Sequence, residues 1–167
     1  GGLLEATRDI VETILEADIP VIVYVSPGGA RAGSAGVFIT LAAHIAAMSE
    51  GTNIGAAHPV GLGGEESEGV MSDKITNDAA AFARTIAQKH GRNVEWAEKA
   101  VRESISSTEQ EAFLANAIDV IAPDIDSLLR YAHNKSIAIK SGDITIKTLN
   151  PQIITREMNW RESLLSF

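Results

Sequence analysis

The segment from residue 20 to residue 43 constrains the fold more than any other part of this 167-residue chain. It begins with a continuous apolar run rich in β-branched residues, Pro20-Val21-Ile22-Val23-Tyr24-Val25. Such a run is typical of a strand covered on both faces, as in a parallel sheet. The small residues of Ser26–Gly36 follow, and the next segment, Val37–Ala43, can form a helix. This order of strand, small-residue loop and helix indicates an α/β protein with chemistry at the strand's carboxyl end.

The composition excludes several classes of function. Lysine and arginine number 14 against 22 aspartates and glutamates, so the net charge is −8. Binding to nucleic acid or to an anionic lipid surface needs clustered lysine and arginine, and the sequence has no such cluster. Cysteine is absent, which excludes a thiolate metal site and a cysteine nucleophile. No apolar run reaches the roughly 18 residues of a membrane-spanning helix.

Hydrophobic periodicity and turn residues divide the rest of the chain. The glycine-rich stretch Gly61–Asp73 is predicted to be a mobile loop, and we expect it to act as a lid over an active site. Thr108-Glu109-Gln110-Glu111 is a capping box, and Asn93 is expected to cap another helix. The predicted helices cover residues 3–17, 34–43, 74–90, 94–102, a segment from 109, and 125–132. The predicted strands cover residues 21–25, 44–48, 53–57 and 117–122, with a hairpin over 136–149.

The glycines of the first loop do not form a nucleotide site. Gly28 and Gly33 have the spacing of a Walker motif, but Ser34 and Ala35 stand where Lys followed by Ser or Thr is required. A Rossmann pattern starting at Gly28 would need glycine at position 30, which is Ala30. Phosphate binding is therefore not expected from this loop.

Ser34 is the nucleophile-capable side chain at the end of this loop, and it needs a base. The four histidines are His44, His58, His90 and His133. Only His58 follows a predicted strand near the loop, and structural roles remain the favoured interpretation for all four.

A neutral lysine can replace histidine as the base, provided that it is desolvated enough to lose its proton. Lys74 differs from the other lysines because it lies directly after the predicted mobile loop and beside Ile75 on the apolar stripe of a helix. Most lysines are solvated surface amines. On physical grounds alone, Ser34 and Lys74 are a candidate pair and no more.

Six separated motifs resemble one family in their order along the chain. They are Gly1-Gly2, Pro20–Val25, Gly29–Gly36, Thr52–Ala56, Lys74-Ile75-Thr76-Asn77 and Ser107–Ala112. Together they resemble the NfeD-type membrane-bound serine proteases, relatives of Clp protease and signal-peptide peptidase A within the crotonase-like fold. The resemblance covers about residues 1–132 and is weaker in the tail.

The resemblance implies a Clp-protease/crotonase-like α/β fold with short parallel strands, surrounding helices and a C-terminal β-hairpin. It implies a Ser34–Lys74 dyad, and an oxyanion hole formed by backbone N–H groups of Gly1 or Gly2 and of Ala35. The family has strands upstream of its Pro-Gly-Gly loop, so we expect N-terminal strands to be missing here. No cofactor and no metal are expected.

The predicted function is a serine endopeptidase that cleaves apolar segments of membrane-associated proteins such as stomatin. Residues 1–150 would form the protease domain, and residues 151–167 a tail leading toward a membrane or a partner. The resemblance also implies a homodimer, tethered to a membrane by segments absent from this chain, with an extracytoplasmic protease domain. Two alternatives stay open: a crotonase-like acyl-CoA enzyme, which would need a carboxylate base and a nucleotide pocket, and a non-catalytic interaction scaffold.

Overall fold

Helices and short strands alternate along the computed structural model, which describes residues 2–59 and 70–156. The helices are α1 Gly2–Leu15, α2 Ala35–Ala42, α3 Val70–Lys89, α4 Val94–Arg102, α5 Glu109–Leu114 and α6 Ile125–Ala132. The strands are β1 Ile22–Val25, β2 Arg31–Gly33, β3 Ile45–Met48, β4 Asn53–Gly55, β5 Ser106–Thr108, β6 Val120–Ile121, β7 Ser136–Ile139 and β8 Gly142–Thr145. None of these helices is both long and apolar enough to cross a bilayer.

The strands form two three-stranded sheets and a hairpin. The first sheet has the order β1-β3-β6, and both of its pairings are parallel. The second has the order β2-β4-β5, with β2 parallel and β5 antiparallel to β4. Strands β7 and β8 form the antiparallel hairpin. The predicted parallel sheet and C-terminal hairpin are therefore confirmed.

Burial differs between the strands of the first sheet in a way that follows from their order. The strand predicted to be covered on both faces, β1, is half-buried except for Val25. Strand β3 is fully buried along Ile45–Met48, because it lies between β1 and β6. The long apolar run that ends at Val25 therefore belongs to β1, which lies at the edge of the sheet, and not to the central strand β3.

Alanine-rich helix faces form much of the main core. Ala79, Ala80 and Ala83 of α3 and Ala97 of α4 are completely buried, and so is Leu41 of α2. Small side chains let helices and strands approach closely, so this core is filled with few aromatic rings. The packing fixes α2 against both α1 and α3.

A buried arginine holds the carboxyl end of α2. One terminal nitrogen of the Arg92 guanidinium, Nη1, donates hydrogen bonds to the carbonyls of Leu41 (2.6 Å) and Ala43 (2.9 Å). The other, Nη2, donates to Asp119 Oδ2 at 2.5 Å, and the same carboxylate oxygen accepts from the Ala46 N–H. The Arg92–Asp119 ion pair thus connects helix α2, strand β3 and the turn before β6.

Two strands were missed, and the bounds of one helix and of a third strand were predicted incorrectly. Strands β2 and β5 were not expected, and the first lies inside the predicted small-residue loop. Helix α3 begins at Val70, so Lys74 is its fifth residue and not its first. The four residues 70–73 of the predicted lid are helical, and the rest of that loop lies outside the described residues. The predicted strand over 117–122 is reduced to Val120–Ile121.

The predicted caps are confirmed. The Asn93 side chain accepts a hydrogen bond from the Trp96 N–H at 2.9 Å. Thr108 and Glu111 form the reciprocal capping box at the start of α5. These local signals were readable because both partners of each bond lie within one helical turn.

Candidate active site

Ser34 has a backbone conformation that few non-glycine residues adopt. Its φ is 49° and its ψ is −116°, at the N-cap position of α2. Strain of this kind costs about 1–3 kcal/mol and persists only where the surrounding structure imposes it. The Ser34 side chain is exposed and makes no capping hydrogen bond, so its hydroxyl is not used to stabilise the helix.

The strand β4 and the residues after it hold Ser34 in place. Its N–H donates a hydrogen bond to the Ala56 carbonyl at 3.2 Å, and β2 pairs with β4 up to Gly33 and Gly55. Ala56 also has a positive φ, 51°, and its own N–H donates to the Ile105 carbonyl at 2.8 Å. Two successive backbone hydrogen bonds, Ser34 to Ala56 and Ala56 to Ile105, therefore connect Ser34 to the residue just before β5.

Gly55 is the residue that this arrangement requires to be glycine. Its φ is 141°, and a Cβ placed on it would lie 2.2 Å from the Ile105 carbonyl oxygen and 2.5 Å from Ser106 Cα. Both of those atoms belong to the backbone, so neither can move aside cheaply. Because Gly55 has no side chain, the backbone just before β5 can pack directly against the segment that holds Ser34 in place.

The first turn of α2 offers a backbone donor beside Ser34. Ala35 is the first residue of the helix, and the first N–H groups of a helix have no intrahelical acceptor. In the described part of the chain no other group accepts a hydrogen bond from the Ala35 N–H. Among the other predicted oxyanion donors, Gly2 is the first residue of α1, and Gly1 lies outside the described residues.

Lys74 lies on α3 and is exposed. Helix α3 is fixed against α2 by stacked rings, since the centroids of Phe38 and Phe82 are 5.6 Å apart with an interplanar angle of 20°. Phe38 is one helical turn beyond Ser34, while Lys74 precedes Phe82 by eight residues, or about 12 Å of helix rise. The two candidate residues are thus carried by neighbouring helices, and the dyad itself stays a prediction.

Helix α1 adds a second restraint on α3. Arg8 forms an ion pair with Asp78 at 2.6 Å, and its guanidinium carbon lies 4.2 Å from the centroid of the Phe82 ring. Asp78 is one turn beyond Lys74 on the same helix. The position of the Lys74 backbone therefore depends on α1 as well as on α2.

Of the four histidines, His58 lies nearest in sequence to the support of Ser34. It is exposed, follows Ala56 by two residues, and donates a hydrogen bond from Nδ1 to the Val101 carbonyl at 3.0 Å. His133 accepts a hydrogen bond from the Thr148 N–H at 3.0 Å, after α6 has ended. Both rings thus form hydrogen bonds with the backbone.

His44 and His90 pack edge to face, with ring centroids 5.7 Å apart. Burial is the main reason that the pKa of His90 falls to about 4, and the nearby Arg92 guanidinium lowers it further. Burial also lowers the pKa of His44, with Lys89 as the next cause. His44 lies between α2 and β3, one residue before the strand that was predicted to begin with it.

Sequence reasoning missed Ala56 and Gly55 as parts of the site. Both were included in a predicted strand over 53–57, whereas β4 ends at Gly55. The signal that could have found them is the glycine at the end of the strand, a position where close backbone approach is common.

The family of NfeD1b N-terminal domains matches residues 1–150 of this chain. The membrane-bound protease PH1510 of Pyrococcus horikoshii is 35% identical over the whole chain. The chain spans 38% of the length of that curated relative.

The solved structures of similar proteins include two mutants of the 1510-N membrane-bound stomatin-specific protease. A lysine-to-alanine mutant in complex with a substrate peptide is 34% identical, has a TM-score of 0.87 and covers 97% of this chain and 75% of its own. A serine-to-alanine mutant is 35% identical, has a TM-score of 0.83 and covers 93% of this chain and 76% of its own.

More distant structures show the fold alone. ClpP1 from Listeria monocytogenes has a TM-score of 0.55 at 22% identity, over 74% of this chain and 69% of its own. An enoyl-CoA hydratase from Thermoplasma volcanium has a TM-score of 0.50 at 18% identity, over 75% of this chain and 43% of its own. The chain is a member of the NfeD1b N-terminal domain family, with a fold of the Clp-protease and crotonase type.

Proposed function

We propose that this chain is the catalytic domain of a serine endopeptidase that uses a Ser34–Lys74 dyad. The observation that carries the proposal is the strained, exposed Ser34, whose hydroxyl takes no part in capping α2. A similar protein named as a protease has been studied with a serine replaced in one structure and a lysine in another. Residues 1–150 would form this domain, and residues 151–167 a tail toward a membrane or partner.

The proposed reaction begins when neutral Lys74 accepts the Ser34 hydroxyl proton as Oγ attacks the peptide carbonyl. The Ala35 N–H and a donor from Gly1 or Gly2 stabilise the tetrahedral oxyanion, and each such donor typically contributes about 3 kcal/mol. Protonated Lys74 then gives its proton to the leaving amine. Water hydrolyses the acyl-enzyme and releases the second product.

The exposure of Lys74 bears directly on the choice of substrate. A neutral lysine is favoured when water is removed from its surroundings. An apolar peptide segment laid over Lys74 would supply that desolvation, whereas a polar segment would not. We therefore propose apolar segments of membrane-associated proteins, stomatin among them, as the substrate class, in line with the stomatin-specific relative.

The likeness to a membrane-bound relative also supports a proposal about assembly. The full-length protein would be tethered to a membrane by segments outside this chain, and its protease domain would be an extracytoplasmic homodimer. The likeness to an enoyl-CoA hydratase concerns the fold alone, and a scaffold would not account for the strain at Ser34. Neither alternative is therefore proposed.

The test is a cleavage assay with a library of apolar peptides and with a peptide from a stomatin C-terminal region. Wild type is compared with Ser34→Ala and Lys74→Ala. Ser136→Ala and Lys89→Ala serve as matched controls, since both residues are exposed and Lys89 lies at the far end of the same helix. Circular dichroism verifies that each variant is folded.

Wild type and both controls are expected to cleave the same bonds at similar rates. Ser34→Ala and Lys74→Ala are expected to lose about 10³-fold or more of the rate, because members of such a unit act together. Cleavage by either variant at a rate close to that of wild type would reject the dyad. Cleavage of polar and apolar peptides at equal rates would reject the proposed substrate class.

A further inference from the structure

Helices α2 and α3 lie side by side and run in the same direction. Phe38 of α2 stacks on Phe82 of α3, with ring centroids 5.6 Å apart. His44 packs edge to face with His90, and these two residues lie just beyond the carboxyl ends of α2 and α3. His44 comes six residues after Phe38, and His90 comes eight residues after Phe82. The contacts therefore advance along both helices toward their carboxyl ends.

Helix α3 begins well before the level at which α2 begins. The first residue of α2 is three residues before Phe38, whereas the first residue of α3 is twelve residues before Phe82. The difference of nine residues corresponds to about 14 Å of helix. Burial changes at the same level: none of residues 71–78, all of which the structure describes, is buried, while Ala79 and Ala80 are completely buried. Residues 71–78, the overhang of α3, therefore extend past the end of α2 that follows Ser34.

The overhang has an apolar side, and that side faces α2. Each residue turns an α-helix by about 100°, so Met71, Ile75 and Phe82 fall within an arc of about 40°. The contact of Phe82 with Phe38 shows that this arc is directed toward α2. Met71 is 59% exposed and Ile75 is 36% exposed. The helix face that packs against α2 thus continues beyond the start of α2 as an exposed apolar surface.

Helix α1 holds the overhang where it leaves the body of the protein. Asp78, the last residue of the overhang, forms an ion pair with Arg8 of α1 at 2.6 Å. The Arg8 guanidinium carbon also lies 4.2 Å from the centroid of the Phe82 ring. The apolar face is therefore covered at Phe82 and becomes exposed in the turns that precede it.

The exposed part of this face lies beside the proposed catalytic pair. Ser34 directly precedes α2, at the level where the overhang begins to extend past that helix. Lys74 stands between Met71 and Ile75 in the sequence, on the flank of the same arc. A peptide carbonyl at Ser34 would therefore bring the neighbouring side chains of the peptide against the overhang.

We propose that Met71 and Ile75 form an apolar subsite, which receives an apolar side chain of the peptide whose carbonyl lies at Ser34. The inference rests on the proposed function and names the residues that select its substrate. Single exposed apolar residues are ordinary on a protein surface, but this pair continues a face that already packs against α2. An apolar side chain on Ile75 also excludes water beside Lys74, and this favours the neutral amine.

The direct test observes Met71 itself. The chain has three methionines, so ¹³C labelling of the methionine methyl groups gives few signals. The labelled Ser34→Ala variant is titrated with an acetylated octapeptide amide that contains four consecutive leucines. A matched octapeptide has asparagine in place of those leucines. The substitution Met71→Ala identifies the Met71 signal, and the completely buried Met48 is the internal reference.

The leucine peptide is expected to shift the Met71 signal in a saturable manner and to leave the Met48 signal unchanged. The asparagine peptide should bind at least about tenfold more weakly, because it buries no apolar surface on the subsite. An unmoved Met71 signal would overturn the proposal. A Met71 signal that changes on dilution of the chain without peptide would assign the face to a second copy, and would overturn it as well.

Cleavage by the wild-type chain gives a second readout. Met71→Ala/Ile75→Ala removes both side chains and keeps a strong helix former at each position. Ile19→Ala/Leu114→Ala is the matched control, since those side chains are exposed and lie after α1 and at the end of α5. The first double variant is expected to lose at least about tenfold in kcat/KM for the leucine peptide. The control should cleave that peptide like wild type.

The two readouts separate the subsite from the proposed function. A saturable Met71 shift without any cleavage by wild type would support the subsite and reject the peptidase. Equally fast cleavage by wild type and by Met71→Ala/Ile75→Ala would support the peptidase and overturn the subsite.

Discussion

Ser34, the proposed nucleophile, has a strained backbone, and its neighbours hold it in that conformation. Its N–H donates to the Ala56 carbonyl, and Ala56 itself has a positive φ and donates its N–H to the Ile105 carbonyl. The serine hydroxyl is left exposed beside the Ala35 N–H, where an attacking oxygen and an oxyanion donor would be needed. At the scale of single residues, the strained backbone lies at the position of the proposed nucleophile.

Replacing Ser34 with glycine should reveal this strain. Glycine adopts a positive φ without steric cost, so Ser34→Gly is expected to raise the free energy of unfolding by about 1 kcal/mol. Ser34→Ala keeps the Cβ and should not show this gain. Urea unfolding followed by tryptophan fluorescence measures both variants, and a destabilised Ser34→Gly would contradict the assignment of strain.

The half-buried pair His44 and His90 should make stability depend on pH. The pKa of His90 is lowered from about 6.5 to about 4 in the folded chain, so the unfolded chain binds the proton more readily. The contribution of the neutral ring is complete above pH 6.5 and is lost as the pH falls toward 4.

This dependence is measured as the difference in unfolding midpoint between pH 7 and pH 4.5. His90→Gln removes the titrating group, and the variant is expected to lose less stability than wild type over the same interval. An identical loss in both proteins would assign the pH dependence to other groups.

The sequence identified some of these residues and not others for a physical reason. Ser34 and Lys74 were found because loop composition and helix position are local properties, and their pairing stays a prediction. Arg92 was not recognised as a structural residue, because segments far along the chain bury its side chain. Burial by distant segments leaves no local trace in the sequence.

At the scale of elements, the antiparallel pairing of β4 with β5 supports the site. Gly55 permits that pairing, since any Cβ there would collide with the Ile105 carbonyl. Amphipathic helices and caps were predictable because their partners are three or four residues apart. Strands β2 and β5 have three residues each and little intrinsic preference for a strand, so only their partners define them.

Gly55→Ala is expected to destabilise the chain by at least about 2 kcal/mol and to lower peptide cleavage, because Ala56 would be displaced beneath Ser34. Gly91→Ala is the matched control, since Gly91 also has a positive φ, 65°, but meets no atom within 4 Å. The control should cost about 1 kcal/mol and leave cleavage unchanged. Similar effects on cleavage from both substitutions would contradict this role for Gly55.

Across the whole molecule, the Arg92–Asp119 ion pair links the end of α2 to both β3 and the turn before β6. Arg92 has a side chain only 1% exposed, so the loss of its partner would leave a buried charge uncompensated. Helix α2, which follows Ser34, is thereby fixed at its C-terminal end.

Asp119→Asn is expected to lower the free energy of unfolding by about 3 kcal/mol. The surface pair of Lys140 with Glu16 is the control, and Lys140→Met should change stability by less than about 1 kcal/mol. Chemical denaturation measures both variants. Equal effects would contradict the structural role given to the buried pair.

The most direct test of the proposed function is to locate the acyl-enzyme. The chain is mixed with an activated ester of an apolar peptide, quenched with acid during turnover, and digested for mass spectrometry. We predict that the acyl group is attached to Ser34 in wild type and that no adduct forms in Ser34→Ala. An adduct on another residue, or turnover without any adduct on Ser34, would contradict the account.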